Sequence, residues 1–288
     1  MEALERQAVQ DESLAVLEER QVCSCPARGS TKVVRNGLAA GLQRYKCKDC
    51  SKRFNALTGT PLSRLRHREQ WMKQAQAMDD GLSITKAAES MGVARSTAFR
   101  WRHRFLTVAN KVKPASLSGI AEMDETYVME SFKGRPVVGR APRKRGGVAG
   151  KRGLSPEQIP ILVVRDRGGA TTDFVLSDTT GAGLKKVLEP VLAPDTVVCS
   201  DKGGAITAAV RVLGLEHHAV SPRTGRVVGP WHIQNVNSYH SRFKDWMRRF
   251  RGVATAYLEN YLGWFRALER TKAEPRRPAC LLRLAVGH

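Results

Sequence analysis

The sequence predicts an α/β domain carried behind two small modules, one rich in cysteine and one a helix-turn-helix. Three observations predict it. From Gly119 onward, short β-branched runs alternate with helical stretches. Four of the six cysteines crowd into residues 23 to 50, which marks a module with its own cross-link or metal. Between them, a short helix with paired alanines, a glycine turn and an arginine-rich second helix follow one another over 82–102.

Taken in order, residues 1–22 read as a helix with Leu4, Val9, Leu14 and Leu17 as a partial stripe. Residues 23–57 form a zinc-ribbon-like module. Cys47-Lys-Asp-Cys50 has the C-x-x-C spacing with which two thiolates reach one tetrahedral ion, and flanking lysines favour the thiolate form. The first half of that module is irregular: Arg28 stands where a second cysteine is expected after Cys25. Either Cys23 completes a four-cysteine set with Cys25, Cys47 and Cys50, or the site is incomplete. Residues 62–106 are the helix-turn-helix region. A first helix runs through Trp71, Ala75 and Met78; Gly92 makes the later turn; and a helix with a Ser/Thr-rich cap presents Arg95, Ser96, Thr97, Arg100 and Arg102 to DNA. Residues 107–118 read as a linker and 271–288, with Pro275 and Pro278, as a weakly structured tail.

The α/β domain spans 119–270. Its first strand carries Asp124, and the strands Ile159–Arg165 and Ala170–Leu176 are joined by the turn Asp166-Arg-Gly-Gly169. A strand ending at Asp201 lies between helices. The stretch 132–153 holds no acid, and Arg143, Lys144 and Arg145 within it suit phosphate. The helix 234–250 has Val236, Tyr239, Phe243, Trp246 and Phe250 as an apolar stripe, Asn235 as its expected N-cap, and Arg248 and Arg249 at its end. Asn237, His240 and Lys244 share another face. Two carboxylates at strand ends, with such a helix laid across them, suit hard divalent cations and a phosphate. Read without further context, Asp124 and Asp201 are equally strand-end caps, Glu122 or Glu125 can replace a neighbour as ligand, and His240 can be a core-edge histidine.

The formal net charge of +21 points to a polyanionic partner, nucleic acid first and an anionic membrane surface second. No apolar run reaches the ~18 residues of a membrane span, and the polar N-terminus does not read as a secretory signal, so a reducing cytoplasm is expected.

The combination of Cys47 to Leu65, Met123-Asp-Glu-Thr-Tyr127, Ser200-Asp201, the Arg/Lys/Gly loop and His232 to Lys244 resembles bacterial insertion-sequence transposases of the DDE superfamily. The resemblance runs from about Asp11 to Leu268. It is to the group with an N-terminal zinc ribbon, a helix-turn-helix and a ribonuclease-H-like catalytic domain whose third ligand is Glu, Asn or His. The resemblance implies Asp124 and Asp201 as the first two metal ligands, His240 as the third with Asn237 as fallback, and Lys244 as a phosphate contact. It implies magnesium or manganese, two ions in all, with a structural zinc in the ribbon. It further implies binding to the terminal inverted repeats, metal-dependent cleavage and strand transfer, double-stranded DNA as partner at element ends and target, a homodimer or larger assembly on that DNA, and a place at the bacterial nucleoid. Arg28 favours the alternative of a degenerate copy that only binds DNA. A structure-specific nuclease on the same fold is a third reading.

Overall fold

The structure, a computed structural model, describes residues 12–20, 22–135, 147, 149–151, 155–220 and 227–287. The chain divides into two compact units: Met1–Val112 with Gly263–His288, and Lys113–Leu262.

The second unit is built on a five-stranded sheet. Strands β4 (Ile120–Met129), β5 (Gln158–Asp166), β6 (Thr171–Val175), β7 (Val197–Ser200) and β8 (His217–Ala219) lie in the order β6-β5-β4-β7-β8. β5 runs antiparallel to both neighbours, while β4, β7 and β8 are parallel. This mixed order is the ribonuclease-H-like arrangement. Helices α5 (Gly181–Leu188) and α6 (Gly204–Val212) cover one face: Leu184, Leu188, Ile206 and Val210 pack on Ala121, Met123, Leu162 and Val164. Strand alternation turns Glu122 and Asp124 to the other face, beside helix α7 (Gln234–Arg248). The apolar stripe of α7 is buried from Val236 to Phe250 as its periodicity predicts. The predicted hairpin turn is present: Asp166 accepts from Gly169 N–H through its carbonyl and from Ala170 N–H through its carboxylate. A small hairpin, β9 (Val227–Val228) with β10 (Trp231–His232), precedes α7.

The first unit begins with helix α1 (12–18) and a three-stranded ribbon, β1 (Val33–Ala39), β2 (Leu42–Cys47) and β3 (Arg53–Asn55). Helices α2 (Trp71–Asp79), α3 (Ile84–Met91) and α4 (Arg95–Lys111) follow. Ser83 caps α3 by accepting from Lys86 N–H, and Gly92, at φ 65°, makes the left-handed turn into α4. The expected Ser/Thr cap of α4 is not used: Ala94 is the N-cap, and Ser96 and Thr97 lie inside the helix.

Three expectations are corrected. The linker begins later than 107, because α4 continues to Lys111 and Lys113 is already held by the carbonyl of Asp173 and the ring of Phe174, 4.1 Å from its centroid. The tail is not weakly structured. Helix α9 (Arg277–Val286) buries Leu281, Leu282, Leu284 and Ala285. Pro278 falls in its first turn, where a missing N–H costs nothing. The α/β unit also ends before 270, inside helix α8 (Leu258–Arg270), whose second half belongs with the N-terminal helices. Gly263 permits that packing, since a Cβ there would sit 2.6 Å from the Asn110 backbone. Arg266, 4% exposed, donates to the carbonyls of Ala109, Asn110 and Val112 and so closes the C-terminus of α4.

Arg102 follows the same logic and is not a DNA contact. It is fully buried, donates to the Leu82 carbonyl at 2.7 Å and lies 5.0 Å over the Trp264 ring. Arg102→Ala is therefore expected to destabilise the chain by about 2–4 kcal/mol in denaturant unfolding while leaving DNA affinity per folded molecule unchanged. Unchanged stability with lost affinity would contradict this placement.

Candidate active site

The parallel register pairs Met123 with Ser200, so Asp124 and Asp201 follow side by side at the C-terminal end of β7. Asp124 is set within β4 and its side chain is 19% exposed. Burial first, and then the charge of Asp201, push its carboxyl up to about 6. Asp201 is exposed; its Oδ1 accepts from Gly203 N–H at 3.0 Å, and a Cβ on Gly203 would meet that oxygen at 2.9 Å. A side chain at 203 would make the carboxylate shift from this position.

Helix α7 brings His240 to Asp124. Its Nδ1 lies 3.6 Å from Asp124 Oδ2, beyond hydrogen-bond length. Burial and then the charge of Lys244 pull the imidazole down to about 4. Both shifts oppose an ion pair: each group is pushed towards its neutral form. The ring's Nε2 is buried without a hydrogen-bond partner. A carboxyl raised by burial and by a second carboxylate, beside an imidazole kept neutral by burial, offers oxygen and nitrogen donors of the kind that divalent cations take. Asn237 and Lys244 are exposed on the same helix face, one turn to either side of His240.

The position of α7 depends on Glu122, which is fully buried. Its Oε2 accepts from the backbone N–H groups of Asn235 (2.7 Å) and Val236 (3.1 Å). Its Oε1 accepts from Asn235 Nδ2 (2.8 Å) and pairs with Arg167 Nε at 3.0 Å. Four donors occupy this carboxylate, so Glu122 is not available as a metal ligand. It serves as the anion at the N-terminus of α7. Asn235 is accordingly not the N-cap; Ile233 is, and Asn235 donates from the first turn. Arg167 also reaches His232 Nε2 and the Pro230 carbonyl. Sequence reasoning missed Arg167 altogether. Glu122 could have been placed by its parity with Asp124 on one strand. Glu125, the other open alternative, accepts from the Tyr127 hydroxyl at 2.5 Å. The Tyr127 phenol is raised by burial, then by Glu125, and further by Asp124 and Asp201.

In the ribbon, the thiols of Cys25, Cys47 and Cys50 lie within 4.8 Å of one another, the only such group among the described residues. Asp124, Asp201 and His240 are spread more widely. The Cys25–Cys50 sulfur separation is 3.6 Å, close to the edge of about 3.8 Å for a tetrahedral zinc thiolate. Cys23 is exposed and outside the group. Arg28 donates its N–H to the Cys25 carbonyl in the first knuckle, where a fourth ligand would stand.

Of the expected DNA contacts, Arg95, Ser96 and Arg100 are exposed on α4, Thr97 is half-buried, and Arg248 and Arg249 are exposed at the end of α7. Arg143, Lys144 and Arg145 lie outside the described residues. None of the described helices is long and apolar enough to cross a membrane.

The ISXO2-like transposase domain matches residues 116–266, and a homeodomain-like helix-turn-helix domain matches 63–109. A protein of transposable element ISH50 from Halobacterium salinarum is 27% identical over 271 residues, covering 92% of each chain. Among solved structures, the pre-cleavage Mos1 transpososome is 15% identical, with 73% of this chain and 76% of that chain covered at a TM-score of 0.24. The Mos1 strand transfer complex is 16% identical, with 70% and 76% covered, also at 0.24.

The raised carboxyl of Asp124 has a direct consequence for stability. Its folded pKa exceeds its unfolded one, so the proton it binds stabilises the fold below about pH 4, and that contribution is lost as pH rises through about 6. With metal chelated, Asp124→Asn should be more stable than wild type by about 3 kcal/mol at pH 8, and the gap should close by pH 4. Added manganese should stabilise wild type and not the variant. A variant less stable than wild type at pH 8 would contradict the electrostatics described.

Proposed function

The chain belongs to the ISXO2-like transposase family, the DDE-type transposases of insertion sequences, and from that premise we propose that it binds the terminal inverted repeats of its own element, cleaves the DNA there and joins the freed end to a target. Family membership makes it a transposase with DNA as its partner, and DDE chemistry uses divalent metal ions. The finer reading rests on one arrangement: helix α7 sets the His240 ring 3.6 Å from Asp124, next to Asp201, where a divalent cation would offset the cost of ionising the raised Asp124 carboxyl and meet an imidazole already held in its neutral, ligating form. Asp124, Asp201 and His240 would hold the ions, magnesium or manganese and two in number, with Asn237 in reserve on the same face. When bound, such ions polarise the phosphodiester and supply a nucleophile at neutral pH.

The chain's own residues do the rest. Glu122 and Arg167 hold α7 so that the imidazole stays beside Asp124. Lys244, exposed and close enough to perturb both groups, neutralises phosphate charge. Arg248 and Arg249 extend that basic face along the helix; Arg248 also pairs with Asp245 at 3.0 Å. The exposed N-terminal turns of α4 enter the major groove at the repeat, and Lys48, Lys52 and Arg53, exposed on the ribbon, track the phosphates. Paired ends call for a homodimer or larger assembly on DNA. In the ribbon, Cys25, Cys47 and Cys50 would hold zinc through three thiolates, the fourth position passing to a ligand from outside the trio.

The test is cleavage of a labelled duplex carrying the element's end. Wild type should cut at the boundary with magnesium or manganese, faster with manganese because imidazole is the softer ligand. Asp201→Ala should lose at least about a thousandfold in rate. Salt-sensitive binding with no cutting under either ion would instead mark a copy that only binds DNA. For the ribbon, Arg28→Cys should complete a tetrahedral site and slow extraction of zinc by a chelator by tenfold or more on the order of a thiolate bond's contribution. Equal extraction rates would show that residue 28 does not face the ion.

A further inference from the structure

Helix α4 is two-sided in its first turns. Ala98, Trp101, Arg102 and Phe105 are buried on one side, while Arg95, Ser96, Phe99 and Arg100 are exposed on the other. Phe99 is out of place on that second side. It is 40% exposed, whereas Trp101, Phe105 and Leu106 of the same helix are each 1% exposed. A large part of this ring is thus left at the surface. Its position is nevertheless defined: the His103 ring, one turn on, lies 4.4 Å from it at 59°, which gives the phenyl a backing on the exposed face. Arg95, one turn before, and Arg100, adjacent, flank it with positive charge.

An apolar ring set among arginines in the leading turns of the second helix of a helix-turn-helix has one apolar counterpart on DNA. In the major groove, the C5-methyl of thymine is the one apolar group that projects from a base edge, well beyond the small C5–H of cytosine; the other positions are hydrogen-bond donors and acceptors that a phenyl ring leaves unsatisfied. We propose that Phe99 reads thymine methyl groups in the major groove of the element's end, so that base readout by α4 is partly apolar, with Arg95, Ser96 and Arg100 fixing its register on the strands. This rests on the reading of α4 as the helix that recognises the repeat. Phe99 was absent from the contacts expected from sequence, because charge was the signal followed there.

The experiment uses the full chain and duplexes carrying the element's end, with each thymine of the protected region replaced singly by deoxyuridine, which deletes the methyl and keeps the pairing. Wild type should lose about fourfold in affinity per contacted methyl at one or two positions. Phe99→Ala should bind the unsubstituted end about tenfold more weakly and show no further loss at those same positions, and Phe99→Leu should recover part of the sensitivity. Circular dichroism and melting of both variants exclude misfolding as the cause. Wild-type binding that prefers the end but ignores every uracil, or sensitivity that persists in Phe99→Ala, overturns the assignment of Phe99 alone. Wild-type binding with no preference for the element's end over random duplex overturns the recognition reading beneath it.

Discussion

A buried carboxylate at a helix N-terminus holds this catalytic unit in register. Glu122 is without solvent exposure, and its two oxygens are occupied by the first-turn N–H groups of α7, the Asn235 amide and Arg167. Removing one partner of such a group leaves charge uncompensated in the interior, at a cost of roughly 3–5 kcal/mol. The spacing of the elements then does the positioning. Glu122 to Asp124 is two strand residues, about 6.7 Å, and Asn235 to His240 is five helical residues, about 7.5 Å. Pinning Asn235 to Glu122 thus delivers His240 to Asp124, which is where the structure has it.

Charge in this protein is arranged by contrast. The chain as a whole is strongly basic, yet at the site on the sheet burial, and then the charge of Asp201, raise the Asp124 carboxyl. A polyanion drawn to the basic surface would meet repulsion at that point unless cations intervene. A divalent cation, which DDE transposase chemistry uses, would offset that repulsion. Lys244 sits where the two regimes meet, its charge opposing protonation of both Asp124 and His240.

Much of this was legible in the sequence, for physical reasons that differ by element. The stripe from Val236 to Phe250 has the helical period, and it is buried as read. Asp201 ends a short apolar strand and is found at its end. The failures share a cause: they concern partners distant in the chain. Arg102 carries the same charge as Arg100, and only the arrival of Trp264 on one side of α4 tells them apart. Pro278 reads as a breaker unless it is known to open a helix whose leucines have a core to enter. Asn235 looks like a cap, yet the anion that fills that role lies more than a hundred residues away in β4. Arg28 interrupts the cysteine spacing of the ribbon, and the thiols of Cys25, Cys47 and Cys50 gather without Cys23.

If His240 and Asp124 serve one ion, the most direct measurement is the electron spin echo envelope modulation of manganese bound to the full chain. Wild type should show nitrogen modulation from a directly bound imidazole, lost in His240→Glu while manganese binding itself is kept. Manganese bound with no nitrogen coupling in wild type, or coupling that survives His240→Glu, would contradict it.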